Sequence, residues 1–233
     1  MSTDEPFAAL DWDRIATELD NRGWATTGPV LTKRERHQLV AAYEDDAQFR
    51  STVVMARHGF GSGEYRYFGY PLPELVHGLR ERLYRQLMPI GNRWRTALGS
   101  APFPDSYGDF LAGCHAAGQT RPTPLLLRYG PGDYNRLHQD LYGEWVFPLQ
   151  AAFLLSDPGD FEGGEFVLTE QRPRMQSRAQ VVPLGAGEAV IFAVNHRPVR
   201  GTRGTYRVAM RHGVSELRSG SRYTLGIILH DAA

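Results

Sequence analysis

Cysteine, lysine and unbroken apolar runs are what this chain of 233 residues has least of, and their scarcity excludes several classes of protein. The one cysteine, Cys114, cannot close an internal disulfide, so a disulfide-stapled secreted scaffold is excluded and a reducing cytoplasm is expected. Close to Leu111, that thiol is expected in the core rather than at a reaction centre. No stretch approaches the roughly 18 consecutive apolar residues of a membrane helix. The opening MSTDEPFAALDWD is acidic and has no apolar segment of the kind that exports a protein. There is no repeat at a fixed period and no low-complexity tract. Lys33 is the single lysine, and a formal net charge of zero argues against a bulk polyelectrolyte partner.

With 42% hydrophobic residues, a chain of this length can bury about 70% of its unfolded surface around one large core. One domain over 1–233 is expected, helical over about 10–118 and β-rich over about 119–233. Asp11 can cap a helix from about Trp12 to Arg22 that Gly23 stops. A strand follows over Trp24 to Val30. Thr32 and Glu35 form a capping box for a second helix to about Ala47, with Leu39, Val40 and Tyr43 inward. Leu72 to Leu98 is the longest helical pattern, which Pro89 should kink or split. A short helix near Tyr107 to Cys114 precedes Gly118.

The glycines of HGFGSGEYRYFGYPLP (58–73) lack the strand–loop–helix setting and the Lys-Ser/Thr of a phosphate loop. Tyr65, Arg66 and Tyr67 beside them form either a hairpin packed on the core or a flap whose rings stack on a substrate. From Thr123 the pattern changes to short β-rich runs separated by Gly, Pro and Asp turns, which suggests a sandwich or jelly-roll barrel with the helices outside.

Within that half, LLLRYGPGDYNRLHQDL (125–141) ends in His138-Gln139-Asp140. Side chains two apart on an extended segment share a face, so an imidazole and a carboxylate converge. With a second histidine they would form the two-His, one-carboxylate triad that holds non-haem Fe(II). A strand-end histidine bonded to a turn aspartate is the plain structural alternative. His196, His212 and His230 are the later candidates. His212 is favoured, because Arg222 follows it across the Ser219-Gly220-Ser221 turn and the two could face one interior from adjacent antiparallel strands. His230 is expected at the surface or a strand end. An inward guanidinium at Arg222 suits a dicarboxylate.

H-x-D, a distal histidine and an arginine about ten residues on resemble the Fe(II)/2-oxoglutarate-dependent dioxygenases. LLLRYGPGDYNRLHQD and RYTL resemble segments of the AlkB-type alkylated-nucleic-acid repair enzymes. RPTPLLLRY, LHQDLYGE, FPLQ, GGEFVLTEQRPRMQSRA, RHGVS and LGIILHDA resemble a bacterial group of 2-oxoglutarate oxygenases assigned to nucleic-acid oxidation, over roughly residues 20 to 232. The resemblance implies a double-stranded β-helix fold, with iron on His138, Asp140 and His212. It places 2-oxoglutarate on Arg222 with Tyr129 beside it and makes O2 the co-substrate; Thr224, also a candidate contact, stands where the AlkB-type enzymes carry Asn. Leu127 and Ile228 stand where the AlkB-type enzymes carry Asn and Arg, and NHRPVRGTRGTYRV (195–208) is an extra segment.

The implied reaction is hydroxylation or oxidative demethylation with release of succinate and CO2, on damaged or modified nucleic-acid bases. A hydroxylase of a small metabolite or peptide side chain, and a non-catalytic relative that senses 2-oxoglutarate or binds nucleic acid, stay open. For substrate, residues 171–211 carry Arg172, Arg174, Arg178, Arg197, Arg200, Arg203, Arg207 and Arg211 against the single acid Glu188. Arg172, Arg174 and Arg200 are the candidate phosphate contacts; the alternative is a set of solvated strand faces.

Overall fold

The computed structural model describes residues 7–202 and 204–233, so the first six residues and Arg203 lie outside the described residues. Its helices are α1 (Trp12–Arg22), α2 (Lys33–Ala42), α3 (Glu74–Ala97) and α4 (Tyr107–Ala116). The first strands are β1 (Trp24–Pro29), β2 (Phe49–Val54), β3 (Gly61–Ser62), β4 (Glu64–Phe68), β5 (Leu125–Tyr129), β6 (Tyr134–His138) and β7 (Leu149–Leu154). Then come β8 (Phe161–Gly163), β9 (Phe166–Gln171), β10 (Arg178–Val182), β11 (Glu188–Ala193), β12 (His196–Gly201), β13 (Gly204–Val214), β14 (Leu217–Gly220) and β15 (Arg222–Ile227).

A seven-stranded sheet runs β1-β11-β7-β15-β5-β4-β2, and a six-stranded sheet runs β10-β9-β13-β6-β3 with β12 also on β13. The two lie face to face as an open double-stranded β-helix without closing into a barrel. Alternation along the major strands assigns the faces. Leu126, Ala151, Phe153, Ile191, Leu225 and Ile227 point out to meet Leu79, Leu83, Leu87, Phe110 and Cys114 of α3 and α4. Their sequence neighbours Gln150, Ala152, Phe192, Leu127 and Thr224 point in, toward the minor sheet. The N-terminal third is therefore not only helical: β1, β2 and β4 extend the major sheet and β3 the minor one.

Local chemistry accounts for most boundaries. Asp11 Oδ1 accepts the Arg14 N–H at 2.9 Å to open α1, and Gly23 at φ 81° closes it. The capping box of Thr32 and Glu35 opens α2. That helix ends at Ala42, short of the expected Ala47, because Asp45 instead caps a separate turn over Asp46–Gln48 that leads into β2. Pro89 does not split α3: it sits on the exposed side, while Leu83, Tyr84, Leu87, Ile90 and Trp94 hold both halves against the core. Tyr65 to Tyr67 lie in a paired internal strand, so the segment is a packed hairpin and not a separate flap. Cys114 is fully buried, and burial pushes its thiol up to about 11. Among the described residues, no helix is long and apolar enough to cross a membrane.

The extra segment at 195–208 forms the β12–β13 hairpin. Buried Arg197 ties it down, donating to Glu170 at 2.6 Å and to the Asp20 carbonyl at the end of α1 at 3.0 Å. Arg172, at 2.9 Å, and Arg178, at 3.9 Å, also converge on Glu170.

A second buried ion pair clasps the C-terminal strand exit. Arg80 of α3 donates to Asp231 at 2.6 Å and to the Ile228 and Leu229 carbonyls, and both charged side chains are essentially excluded from water. Removing one partner leaves the other charge uncompensated, which costs roughly 3–5 kcal/mol. Asp231→Ala should lower the free energy of unfolding in urea by about that amount.

His230 is fully buried rather than at the surface, its Nδ1 accepting the Phe147 N–H at 3.3 Å. Burial, then the Arg80 charge, depresses its pKa to about 4 from the ordinary 6.5. Between those values the unfolded chain binds a proton that the folded one refuses, so stability falls as pH drops through that window. The loss attributable to His230 is about 3 kcal/mol. Urea unfolding of wild type and His230→Gln at pH 7.5 and 4.5 should show the variant losing less on acidification.

Candidate active site

His138 closes β6 and pairs in register with His212 on β13. Cross-strand register puts both imidazoles on one face, with ring centroids 4.2 Å apart. Asp140, just past the strand end, turns its carboxylate between them. Oδ2 lies 3.3 Å from His212 Nε2 and Oδ1 lies 3.6 Å from His138 Nε2. One ligand atom from each of the three residues falls within 4.8 Å of the others. His196, on β12, stands outside this cluster.

The surrounding hydrogen bonds orient the cluster. His138 Nδ1 donates to the Arg136 carbonyl at 2.7 Å, which leaves Nε2, on the side of the carboxylate, as the ring atom available to a metal. Asp140 receives a donor on each oxygen: Tyr142 OH on Oδ1 at 2.7 Å, and Gln150 Nε2, reaching over from β7, on Oδ2 at 2.7 Å. Tyr142 in turn accepts from Tyr67 OH at 3.0 Å. Burial alone would raise the Asp140 carboxyl, but His212, His138 and the Gln150 hydrogen bond outweigh it and hold the group ionised far below the usual range. Burial, then the neighbouring His138, lowers His212, so its imidazole stays neutral. Phe192 packs against His212 with ring centroids 4.6 Å apart, and Phe166 stacks beyond it. Two imidazole nitrogens and one carboxylate, all on one side of a cavity, are a donor set that suits Fe(II) with open positions.

The facing wall comes from the major sheet. Arg222 on β15 pairs in register with Tyr129 on β5, and Thr224 with Leu127. Arg222 is 3% exposed, and burial lowers its pKa to about 10. Its Nη1 and the Tyr129 hydroxyl are buried without a hydrogen-bond partner. Buried donors left this way are rare in native proteins, and two of them on one wall match an anionic ligand with several acceptor oxygens. Gly164 leaves space for the arginine: a Cβ there would come within 2.9 Å of Arg222 Cδ. His212 and Arg222 are not on adjacent strands as the turn between them suggested. They look at each other from the two sheets, because β14 pairs with β8 and carries the chain across.

Between the walls is a cavity of about 380 Å³. It brings together His138, Asp140, His212, Arg222, Tyr129, Thr224, Tyr65 and Tyr67. Arg66 is on the opposite face of β4, paired with Asp46 at 2.6 Å and Glu64 at 3.3 Å. Arg172 is held by Glu170, while Arg174 and Arg200 are exposed; none of these three lines the cavity. Gln150 and Tyr142 were missed from the sequence. Each had a signal: Gln150 is the one polar residue in FPLQAAFLL, and Tyr142 lies two residues beyond Asp140.

Comparison with known proteins agrees with this geometry. Residues 63–232 match the family Oxygenase-NA, described as an oxygenase catalysing oxidative methylation of damaged DNA. An uncharacterized Mycobacterium tuberculosis protein, Rv2227, is 54% identical over 168 residues, covering 71% of this chain and 72% of its own. A Pseudomonas putida prolyl-4-hydroxylase shares the fold at TM-score 0.55 and 16% identity, covering 92% of this chain and 96% of its own. A 2OG-Fe(II) oxygenase family oxidoreductase from Burkholderia pseudomallei does so at 0.56 and 16%, over 95% and 93%. The family match makes the protein an oxygenase, an oxidoreductase, and the His–Asp–His cluster gives it a site that could hold a metal ion. It belongs to the Oxygenase-NA family.

Proposed function

We propose that His138, Asp140 and His212 hold the iron and that Arg222 and Tyr129 bind the remote carboxylate of 2-oxoglutarate, with Thr224 beside them. The enzyme then hydroxylates or oxidatively demethylates damaged or modified nucleic-acid bases. The observation that carries this reading is the pair of unpartnered buried donors, Arg222 Nη1 and Tyr129 OH, facing the His–Asp–His cluster across one cavity. When bound, iron and 2-oxoglutarate supply the oxidising power, converting 2-oxoglutarate and O2 to succinate and CO2 while one oxygen atom enters a substrate C–H bond.

The chain's own residues prepare that chemistry. The Arg136 carbonyl orients the His138 ring, Tyr142 and Gln150 hold the Asp140 carboxylate turned, and Gln150 also helps keep it ionised. Phe166 and Phe192 pack against His212 and shield that side of the cluster. Tyr65 and Tyr67 give the remaining wall flat aromatic faces suited to a planar base. A base reaching so enclosed a site has to be unpaired or flipped from its helix. A reducing cytoplasm suits both Fe(II) and the free thiol of Cys114.

Succinate release measured against N-methylated single-stranded oligonucleotides tests the reading. Stimulation should appear in wild type and vanish in His138→Ala; turnover unaffected in that variant rejects the metal assignment. One observation favours a second reading, hydroxylation of a small metabolite or peptide side chain. Arg172, Arg178 and Arg197 surround Glu170 instead of offering free charge to phosphates. Turnover with such compounds and none with oligonucleotides would establish it. A non-catalytic relative is disfavoured, since the cluster and Arg222 are both complete.

A further inference from the structure

None of the described arginines of the 171–211 stretch lines the cavity, and a different set of residues stands at its entrance. The turn over Met55–His58 and β3 are fixed against β6: Phe60 N–H donates to the Met55 carbonyl at 3.1 Å, and Arg136 N–H donates to the Phe60 carbonyl at 2.8 Å. Held this way, Phe60 is 48% exposed although it lines the cavity, and Leu137, which also lines it, is 44% exposed. The Phe60 ring lies nearly parallel to His58, with an interplanar angle of 22° and centroids 5.3 Å apart. His58 is exposed as well. Arg136, also exposed, lines the cavity, and among the described residues no acidic side chain other than the buried Asp140 does so. The nearby Asp133 is occupied, its carboxylate accepting from Ser62 Oγ at 2.6 Å and from the Gly130 N–H at 2.8 Å.

An exposed aromatic pair beside an exposed guanidinium is poorly explained by packing, which gains little from a ring left half in water. It does match a strand that alternates flat bases with phosphates. We infer that Phe60, backed by His58, is a stacking platform for the nucleotide next to the one entering the cavity, and that Arg136 binds the phosphate between them. The ligand is a single-stranded or locally opened polynucleotide, which rests on the nucleic-acid reading above. The platform would set which bases present themselves to the cavity, while Leu137 closes the apolar rim.

The test uses the full chain and a fluorescein-labelled ten-nucleotide oligothymidylate, with fluorescence anisotropy read across a salt series. Base–aromatic stacking sets the expected size of one effect, and one phosphate contact per single strand the other. Phe60→Ala should weaken binding roughly ten- to a hundredfold, and Phe60→Trp should restore it. An abasic oligomer of equal length should bind wild type and Phe60→Ala alike. Arg136→Ala should flatten the slope of log affinity against log salt by about 0.7. Thermal stabilisation by 2-oxoglutarate, retained in every variant, checks that folding is intact. Wild type that binds the oligomer while Phe60→Ala and Arg136→Ala match it overturns the platform and leaves the nucleic-acid reading standing. Wild type that binds no oligonucleotide but takes an unstructured peptide overturns both.

Discussion

Asp140→Ala should abolish 2-oxoglutarate turnover and reduce divalent-metal affinity far more than loss of either residue supporting it. Losing a hydrogen bond to a metal ligand typically costs 10- to 100-fold in metal affinity or activity. Tyr142→Phe and Gln150→Leu are therefore expected in that range, and Asp140→Ala well beyond it. Mn(II) titration followed by electron paramagnetic resonance reads affinity without requiring catalysis. The metal-free variant should stay folded, because Asp140 is costly to bury and its partners Tyr142 and Gln150 border a cavity. An Asp140→Ala protein that binds Mn(II) as tightly as Tyr142→Phe does would remove Asp140 from the ligand set.

Arg222→Met should raise KM for 2-oxoglutarate by a factor on the order of 10²–10⁴, since two charge-assisted hydrogen bonds contribute roughly 1.5–3 kcal/mol each. The free protein should respond in the opposite sense. Arg222 is buried with Nη1 unpaired, so an apolar residue of similar length relieves a desolvation cost and leaves the unliganded fold as stable or more so. Two thermal melts make the comparison. Wild type at a hundredfold excess of 2-oxoglutarate over Kd gains about 2.7 kcal/mol, whereas Arg222→Met gains at most about 0.4 kcal/mol at the same concentration. A variant that melts much earlier without ligand would mean that the guanidinium serves the fold instead of the co-substrate.

Signals confined to one element were legible in the sequence. Asp11 and Thr32 announced helix starts by cap chemistry, and His138 with Asp140 announced a shared face by spacing alone. Relations between elements were not. The turn at Ser219 to Ser221 says that the chain reverses but not which sheet it joins, so His212 and Arg222 were expected on neighbouring strands and stand on facing ones. The strands β8, β12 and β14 are short or polar and carry no period-two apolar pattern. The arginine stretch looked uncompensated because Glu170, its hub, is one residue before it and the pairing depends on tertiary contact. His230 illustrates the same limit: a polar residue near the chain's end gives no local sign that a buried backbone N–H awaits it.

The place of β15 in the major sheet has a consequence for how the molecule is made. It is the last strand in the chain, yet it lies at the sheet's centre, between β7 and β5. During synthesis β1, β11 and β7 can associate, as can β2, β4 and β5, but the two groups share no edge until residues 222–227 emerge. Pairings this distant in sequence form slowly, and until they form, the open edges of β5 and β7 are exposed to other chains. The active site thus stays incomplete until β15 docks, because the strand that closes the sheet also delivers Arg222. Aggregation should therefore be governed by how quickly β15 docks between β5 and β7.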